Sequence, residues 1–192
     1  PSERPGVLRR GYRLADDTGA CDLVLTDLVL EDGALLAAPG AAGELLEYAI
    51  DRATLAFTAQ AVGAMQAVLA IVSAYLKTRV QFGQPIGKFQ ALQHRMADMF
   101  VEAQEARSIL YQGMAWLDAQ APRRRHAVSC AKVVAANAGL FVAGQGIQLH
   151  GGVGVTEEFE VGQYYKRMLV FEKLFGDTDQ HLARIAANAD DD

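Results

Sequence analysis

The sequence predicts a mainly α-helical protein, a bundle of four or five antiparallel helices that follows a short β segment. Three observations lead to this fold class. Apolar residues recur every three or four positions over long stretches after residue 40. Proline and glycine interrupt those stretches at only a few points, and the chain before them alternates partly between apolar and polar residues.

Residues 1–38 carry the β pattern. The runs VLRRGYRLADD and ACDLVLTDLVLED are short and meet around Asp16–Gly19. Partial alternation with polar residues is typical of a half-buried strand, and it involves Leu23, Leu25, Leu28 and Leu30. Two or three strands rarely form a stable sheet alone. We therefore expect this segment to pair with strands outside the given sequence, upstream in a longer chain or on a partner.

A long helix is predicted from Glu44 to Arg79, where the sequence has no proline and one glycine, Gly63. No charged residue lies between Ala53 and Leu76, so the stretch must be weighed as a membrane span. Its polar side chains and many alanines favour instead the central helix of a bundle. We expect no membrane span.

Further helices are predicted beyond the FGQPIG turn. Their expected bounds are 88–120, 125–149, 159–177 and 178–188. The sequence Ala121–Pro122 separates the first two, and His150–Gly151–Gly152 ends the second.

Composition excludes several function classes. The net charge of −5 is unlike that of a general nucleic-acid binder, and the basic cluster Arg123–His126 is interpreted as a solvated helix start. The two cysteines form no CxxC pair, which favours a reduced, cytoplasmic protein.

The motifs of metal and hydrolase sites are absent. No glutamate stands three residues before any of the four histidines, as a di-iron bundle requires. The sequence has no HExxH, no zinc-type Cys/His spacing and no GxSxG. We expect no metal.

Two stretches carry possible chemistry. In KTRVQFGQPIGKFQALQHRMADM, residues 77–99, an arginine fork beside a helix start suits a phosphate or pyrophosphate, although Arg79 could equally cap an ordinary helix turn. In GQGIQLHGGVGVTEEFE, residues 144–160, the glycines would let the backbone approach a ligand closely. The spacing is not GxGxxG, and a glycine C-cap is the alternative.

Together these stretches resemble the C-terminal half of the acyl-CoA dehydrogenases. TRVQFGQPIGKFQALQHRMADM is similar to that family's Arg-x-x-Phe-Gly turn, and QLHGGVGVTEEFEVGQYYKRM is similar to its Gln-x-x-Gly-Gly-x-Gly segment. The phrases AIDRATLAF, LKTRVQFG, VGQYYKR and LFGD are most similar to two-subunit members, the small subunit of pimeloyl-CoA dehydrogenase and actinobacterial relatives.

The resemblance implies an architecture and a reaction. Residues 1–38 would be the end of the family's middle β domain, and residues 39–192 its C-terminal four-helix bundle. The implied reaction is FAD-dependent oxidation of an acyl-CoA to the 2,3-enoyl-CoA. A carboxylate removes the α-proton while a hydride leaves the β-carbon for the flavin.

The resemblance also implies cofactor contacts. Arg79 and Gln81 would meet the pyrophosphate region of FAD, and Gln148 and Gly152 its adenylate side. The positions expected to line the cofactor are Phe82, Ile86 and Phe89.

The family's catalytic glutamate has no counterpart. Its usual position falls on Phe175, and the position used by a smaller group falls on Ala53. No catalytic residue is therefore assigned. The nearby carboxylates Glu172 and Asp51 remain candidates for an unusual base. Asp51 should face away from Ala53, since two residues turn a helix by about 200°.

Three hypotheses remain open. The chain could complete the FAD site of a homologous subunit in a heterotetramer, with the base on that partner. It could be a self-sufficient dimer or tetramer that uses Glu172 or Asp51. It could be a helical scaffold without flavin. In the first two, acyl-CoA is the substrate and an electron-transfer flavoprotein the expected acceptor.

Overall fold

The computed structural model describes residues 5–38 and 40–187. The chain divides into two compact units, Pro1–Ala49 and Ile50–Asp192. In sequence order, a strand pair comes first and a helical bundle follows. The prediction of a mainly α-helical bundle preceded by a short β segment is confirmed.

The first unit contains an antiparallel hairpin, β1 (Val7–Arg13) and β2 (Gly19–Leu25), paired from Val7 with Leu25 to Arg13 with Gly19. Asp17 has a φ of 65°, as a tight turn between strands requires. The predicted strand continued to Leu30, and this is wrong. Asp27 has a φ of 48°, and this left-handed residue ends the pleat two residues after β2.

Five α-helices are present in the described part of the chain. They are α1 (Ala42–Thr78), α2 (Gln90–Ala115), α3 (Ala121–His150), α4 (Glu160–Lys173) and α5 (Thr178–Ala187). Two short strands, β3 (Val80–Gln81) and β4 (Gln84–Pro85), form a small hairpin between α1 and α2.

The core of the second unit lies between α1, α2, α3 and α4. On α1, apolar residues at three- and four-residue spacing face it, namely Ala61, Met65, Val68, Val72 and Leu76. Helix α3 is the most buried helix, and its alanines and glycines allow the others to approach closely. At Gly146, an added Cβ would lie 2.8 Å from Cγ1 of Val68 and 3.1 Å from Cγ1 of Val161.

The predicted second helix extended too far. It ends at Ala115, and Trp116 follows with a φ of −102°. Helix α3 then begins at Ala121 with Pro122 in its first turn, where the missing N–H of proline costs nothing. The Arg123 guanidinium lies 3.5 Å from the centre of the Trp116 ring, which ties the two helix ends together.

Two helical stretches, Ala42–Thr78 and Ala121–Val155, are long and apolar enough to cross a membrane by length and composition. The buried helices of a bundle satisfy the same criteria. Half of the residues of α3 are buried inside the helical unit, so packing against the other helices accounts for its apolar character.

Candidate functional site

The first candidate stretch forms a turn between α1 and α2, here called the arginine turn (residues 79–89). Its backbone continues from the last turn of α1, because the Arg79 N–H donates to the Tyr75 carbonyl at 2.8 Å. The Ile86 N–H donates in turn to the Arg79 carbonyl at 2.8 Å. Phe82 has a φ of 53° and precedes Gly83 at 80°, so the tip of the turn holds one non-glycine residue in the left-handed region.

Three of the five predicted cofactor contacts in this turn face outward. Arg79 and Gln81 are exposed, and Phe82 is 89% exposed. The Phe82 ring meets the half-buried Phe89 ring edge to face, with centroids 6.0 Å apart. Ile86 packs against the core and anchors the turn. Because most of its surface faces solvent, the Phe82 ring is available for contact with another molecule.

The second candidate stretch, here called the glycine segment (Gly151–Val155), is a 3₁₀ turn at the end of α3. Gly151 has a φ of 62°, the left-handed conformation that ends many helices. A Cβ at Gly152 would meet no atom within 4 Å, and its φ is not in the positive range. Gln148 is exposed on the last turn of α3. Gly152 is therefore required neither by backbone conformation nor by packing within the chain.

The fold brings the two stretches to the same end of the bundle. The rings of Tyr75 and His150 lie 4.3 Å apart between centroids, and the Tyr75 hydroxyl donates to the His150 carbonyl at 3.4 Å. On the neighbouring surface, Arg95 of α2 donates to the Gln145 side-chain oxygen of α3 at 2.7 Å. The arginine turn and the glycine segment thus follow two helix ends that contact each other, those of α1 and α3.

These residues fit a dinucleotide such as FAD. An exposed guanidinium suits a pyrophosphate, exposed aromatic rings suit a planar ring system, and bare glycine backbone permits close approach. Gly152 leaves its backbone uncovered after the end of α3, with open space where a side chain would stand. Arg79, Gln81, Phe82, Phe89, Gln148 and Gly152 would hold the group, with Ile86 beneath them.

The expected base position at Phe175 contacts α1. Phe57 lies one turn after Ala53 on α1, and its ring lies 5.5 Å from the Phe175 ring. The Arg167 guanidinium lies 5.5 Å from the Phe57 ring and donates to the Gln60 side-chain oxygen at 2.6 Å. Phe175, at one expected base position, therefore packs against another apolar ring, and neither ring can accept a proton.

The interpretation of Asp51 as a base disagrees with its contacts. Its side chain is fully buried, and its two oxygens accept separately, from Arg124 Nε at 2.8 Å and from Arg184 at 2.8 Å. Such a carboxylate is a structural counter-ion with no oxygen open to a substrate. The basic cluster Arg123–His126 was expected to be solvated, and this is wrong for Arg124, which is buried against Asp51.

Glu172 acts at the start of α5. One oxygen accepts from the Thr178 backbone N–H at 3.2 Å, and the other lies 2.9 Å from Lys173 Nζ. Burial by itself would raise the pKa of Glu172, but the hydrogen bonds from Lys173 and Thr178 outweigh it and leave the pKa below its ordinary value. A carboxylate that caps a helix with a lowered pKa is a weak base.

A buried polar cluster near Phe175 was not anticipated. Lys132 is fully buried, and its Nζ donates to the carbonyls of Phe171 and Leu174, the latter at 2.9 Å. Burial lowers the pKa of Lys132 to about 8, against the attraction of Glu172 and Asp177. In the sequence, Lys132 is the one charged residue between Arg125 and Glu157, and this isolation is the signal that could have identified it.

His181 completes that cluster. Its Nε2 lies 3.1 Å from the Phe175 carbonyl, which can only accept, so Nε2–H donates and Nδ1 accepts from the Ser129 hydroxyl at 3.1 Å. Burial lowers the pKa of His181, which favours this neutral form. Phe175 has a φ of 59°, and Lys132 and His181 hold the carbonyls on both sides of that strained residue.

Comparisons with known proteins identify the same family that the two motifs resemble. Residues 40–189 match the family model described as "Acyl-CoA dehydrogenase, C-terminal domain". Acyl-CoA dehydrogenase IpdE2 of Mycolicibacterium smegmatis is 36% identical over 137 residues, covering 71% of this chain and 42% of the relative. The probable acyl-CoA dehydrogenase YngJ of Bacillus subtilis is 34% identical over 181 residues, covering 91% and 45%.

A chain of the solved ChsE4-ChsE5 complex from Mycobacterium tuberculosis superposes with a TM-score of 0.89 at 28% identity, covering 100% of this chain and 51% of that one. The present chain thus spans less than half the length of these curated relatives. The chain belongs to the acyl-CoA dehydrogenase family, as a representative of its C-terminal domain.

Proposed function

We propose that this chain is the C-terminal part of an FAD-dependent acyl-CoA dehydrogenase subunit that oxidises an acyl-CoA thioester to the 2,3-enoyl-CoA. In this proposal it completes the FAD site of a homologous partner and leaves the catalytic carboxylate to that partner. An electron-transfer flavoprotein is the proposed acceptor. The solved ChsE4-ChsE5 complex has two differently named components, which supports a two-subunit assembly here.

The combination of an outward-facing cofactor surface with apolar base positions carries the proposal. Arg79, Gln81 and Phe82 are exposed at one end of the bundle, so they are available to a group bound mainly by another chain. Phe57 and Phe175 contact each other where a base is expected. A chain with both features can bind a cofactor, but it has no group there to remove the α-proton.

The chain's own residues would bind and orient the cofactor. The Arg79 guanidinium would neutralise pyrophosphate charge, and the aromatic rings of the arginine turn would exclude water from the planar part of the cofactor. FAD, when bound, supplies the acceptor for the hydride that leaves the β-carbon. Phe175 and Phe57 would present an apolar wall, with Lys132 and His181 fixing the backbone behind it.

The test is co-expression with a homologous acyl-CoA dehydrogenase subunit from the same organism, purification of the assembly, and a count of FAD per chain. We expect one FAD for every two chains. One FAD per copy in a homo-oligomer with full dehydrogenase activity would reject the partner role. A colourless assembly without flavin absorbance would reject the flavoprotein function.

A second experiment addresses the self-sufficient alternative. Glu172→Gln keeps the size of the side chain and removes its charge. We expect turnover by the assembly to remain within about twofold, because a group that caps a helix takes no proton from substrate. Loss of turnover by several orders of magnitude, with the melting temperature unchanged, would instead identify Glu172 as the base.

A further inference from the structure

His150 has an unusual environment that the proposed cofactor contacts do not explain. The residue is 3% exposed, and its ring meets two other rings at tilted angles, Tyr75 at 4.3 Å and 38° and Phe159 at 4.7 Å and 50°. Its Nδ1 lies 2.7 Å from the Gly146 carbonyl, so Nδ1–H donates, whereas Nε2 has no hydrogen-bond partner among the described residues. The ring is therefore held by one hydrogen bond and by its contacts with the two neighbouring rings.

Each residue of this three-ring cluster (Tyr75, His150 and Phe159) adjoins a different segment of the surface. Tyr75 supplies the carbonyl that accepts from Arg79 N–H and so carries the arginine turn. His150 directly precedes Gly151, whose φ of 62° starts the glycine segment. Phe159 directly precedes α4. The three-ring cluster therefore connects the ends of α1 and α3 with the start of α4.

Other contacts also support this end of the bundle. Ile86 packs against the core, and Arg95 donates to the Gln145 side chain on an exposed surface at 2.7 Å. The Tyr75 ring and hydroxyl contact His150 directly. They therefore join the residue whose carbonyl carries the arginine turn to the residue that precedes the glycine segment.

We infer that His150 is a positioning residue whose ring, in contact with the rings of Tyr75 and Phe159, helps to hold the arginine turn and the glycine segment at the spacing that the cofactor requires. This inference rests on the proposed flavin function. It assigns the ring, rather than the hydrogen bond from Nδ1, as the group that matters, and it assigns no contact between His150 and the cofactor.

Three substitutions separate the ring from the hydrogen bond. His150→Phe keeps an aromatic ring and removes the hydrogen-bond donor. His150→Asn keeps a hydrogen-bond donor on a shorter side chain and removes the ring. His150→Ala removes both. The matched control is His181→Ala, which removes another buried histidine of the same unit. His181 contacts Ser129 of α3, roughly 30 Å along that helix from His150.

The first readout is amide hydrogen exchange on the flavin-free chain. We expect His150→Ala and His150→Asn to speed exchange in both the arginine turn and the glycine segment, and His150→Phe to leave both near wild type. His181→Ala should affect the turn around Phe175 instead. Faster exchange in the glycine segment alone would overturn the coupling.

The second readout is the FAD dissociation constant of the assembly with its homologous partner, measured from the fluorescence of released flavin. We expect an increase of about tenfold for His150→Ala and His150→Asn, and near wild-type binding for His150→Phe. His181→Ala should lower the melting temperature without this increase. Unchanged FAD affinity in His150→Ala overturns the inference alone, whereas a wild-type assembly without flavin overturns the proposed function and this inference with it.

Discussion

At the scale of single residues, the buried charges of the helical unit carry the largest energetic consequences. Asp51 is fully buried, and its two oxygens are shared between Arg124 and Arg184. Removing water from three charges is costly, and the cost is offset only while all of the partners remain. The loss of the central carboxylate would leave two guanidinium groups facing each other in a poorly solvated site.

We expect Asp51→Asn to destabilise the protein by about 3–5 kcal/mol, because the isosteric amide cannot neutralise the two arginines. Urea unfolding monitored by circular dichroism would measure the change. The control is Lys166→Gln, which removes an exposed ion pair at 3.2 Å to Glu157 and should cost no more than about 1 kcal/mol. Equal stability of the two variants would contradict the structural role of Asp51.

Lys132 makes stability depend on pH in the alkaline range. Its folded pKa is about 8, below the ordinary value of 10.5. Between these values the unfolded chain binds more protons than the folded chain, so the contribution of this group to stability rises with pH from about 8 to 10.5.

We therefore expect the free energy of unfolding of wild type, relative to Lys132→Met, to increase as the pH is raised from 8 to 10. Urea titrations of both proteins at several pH values would measure this difference. Tyrosine titration affects both proteins alike and cancels. A difference that stays constant or falls over this range would show that Lys132 does not titrate with a lowered pKa.

At the scale of elements, α3 determines how closely the helices pack. Its small residues leave room for the branched side chains of α1 and for the first turn of α4. At Gly146, an added methyl group would lie 2.8 Å from Val68 and 3.1 Å from Val161. Both neighbours are valines, which are stiff at χ1 and cannot turn away easily.

We expect Gly146→Ala to lower stability by about 1–3 kcal/mol through overpacking. Gly63→Ala on α1 is the matched control, because a Cβ there would meet no atom within 4 Å and alanine favours a helix over glycine by about 0.5–1 kcal/mol. Thermal unfolding should therefore shift in opposite directions. A stabilised Gly146→Ala variant would contradict the packing of α3 against α1 and α4.

At the scale of the whole helical unit, the two ends of α3 have different characters. Near its start, Ser129 and Lys132 hold the backbone around Phe175 through buried hydrogen bonds. Near its end, Gln148 and the glycine segment are exposed. One end is thus closed by its own side chains, and the other presents side chains that this chain does not use for its own packing.

Arg79 and Lys77 provide a direct test of that exposed end, since they are cations two residues apart at the end of α1. Arg79→Gln should raise the FAD dissociation constant of the assembly about 10- to 100-fold through loss of charge-assisted hydrogen bonds. Lys77→Gln should change it less than about threefold, because a nearby exposed charge acts only through screened attraction. Equal effects would indicate a general charge effect rather than a specific contact.

The sequence by itself determined the local secondary structure and the types of residue at the candidate site. Three- and four-residue spacing predicted the helices, because helix geometry is a property of neighbouring residues. The arginine turn and the glycine segment were recognisable from their residues alone. The predicted ends of two elements were wrong where a single residue leaves the regular backbone conformation. These residues are Asp27 after β2 and Trp116 after α2.

Only the tertiary structure decided which of these residues meet. Asp51 is 73 residues from Arg124 and 133 from Arg184, so an acid considered as a possible base proved to be a buried counter-ion. Phe57 meets Phe175, and Tyr75 meets His150, across comparable separations. Periodicity fixes which face of a helix is buried, but the partner on that face depends on how the helices cross, and no local pattern encodes that.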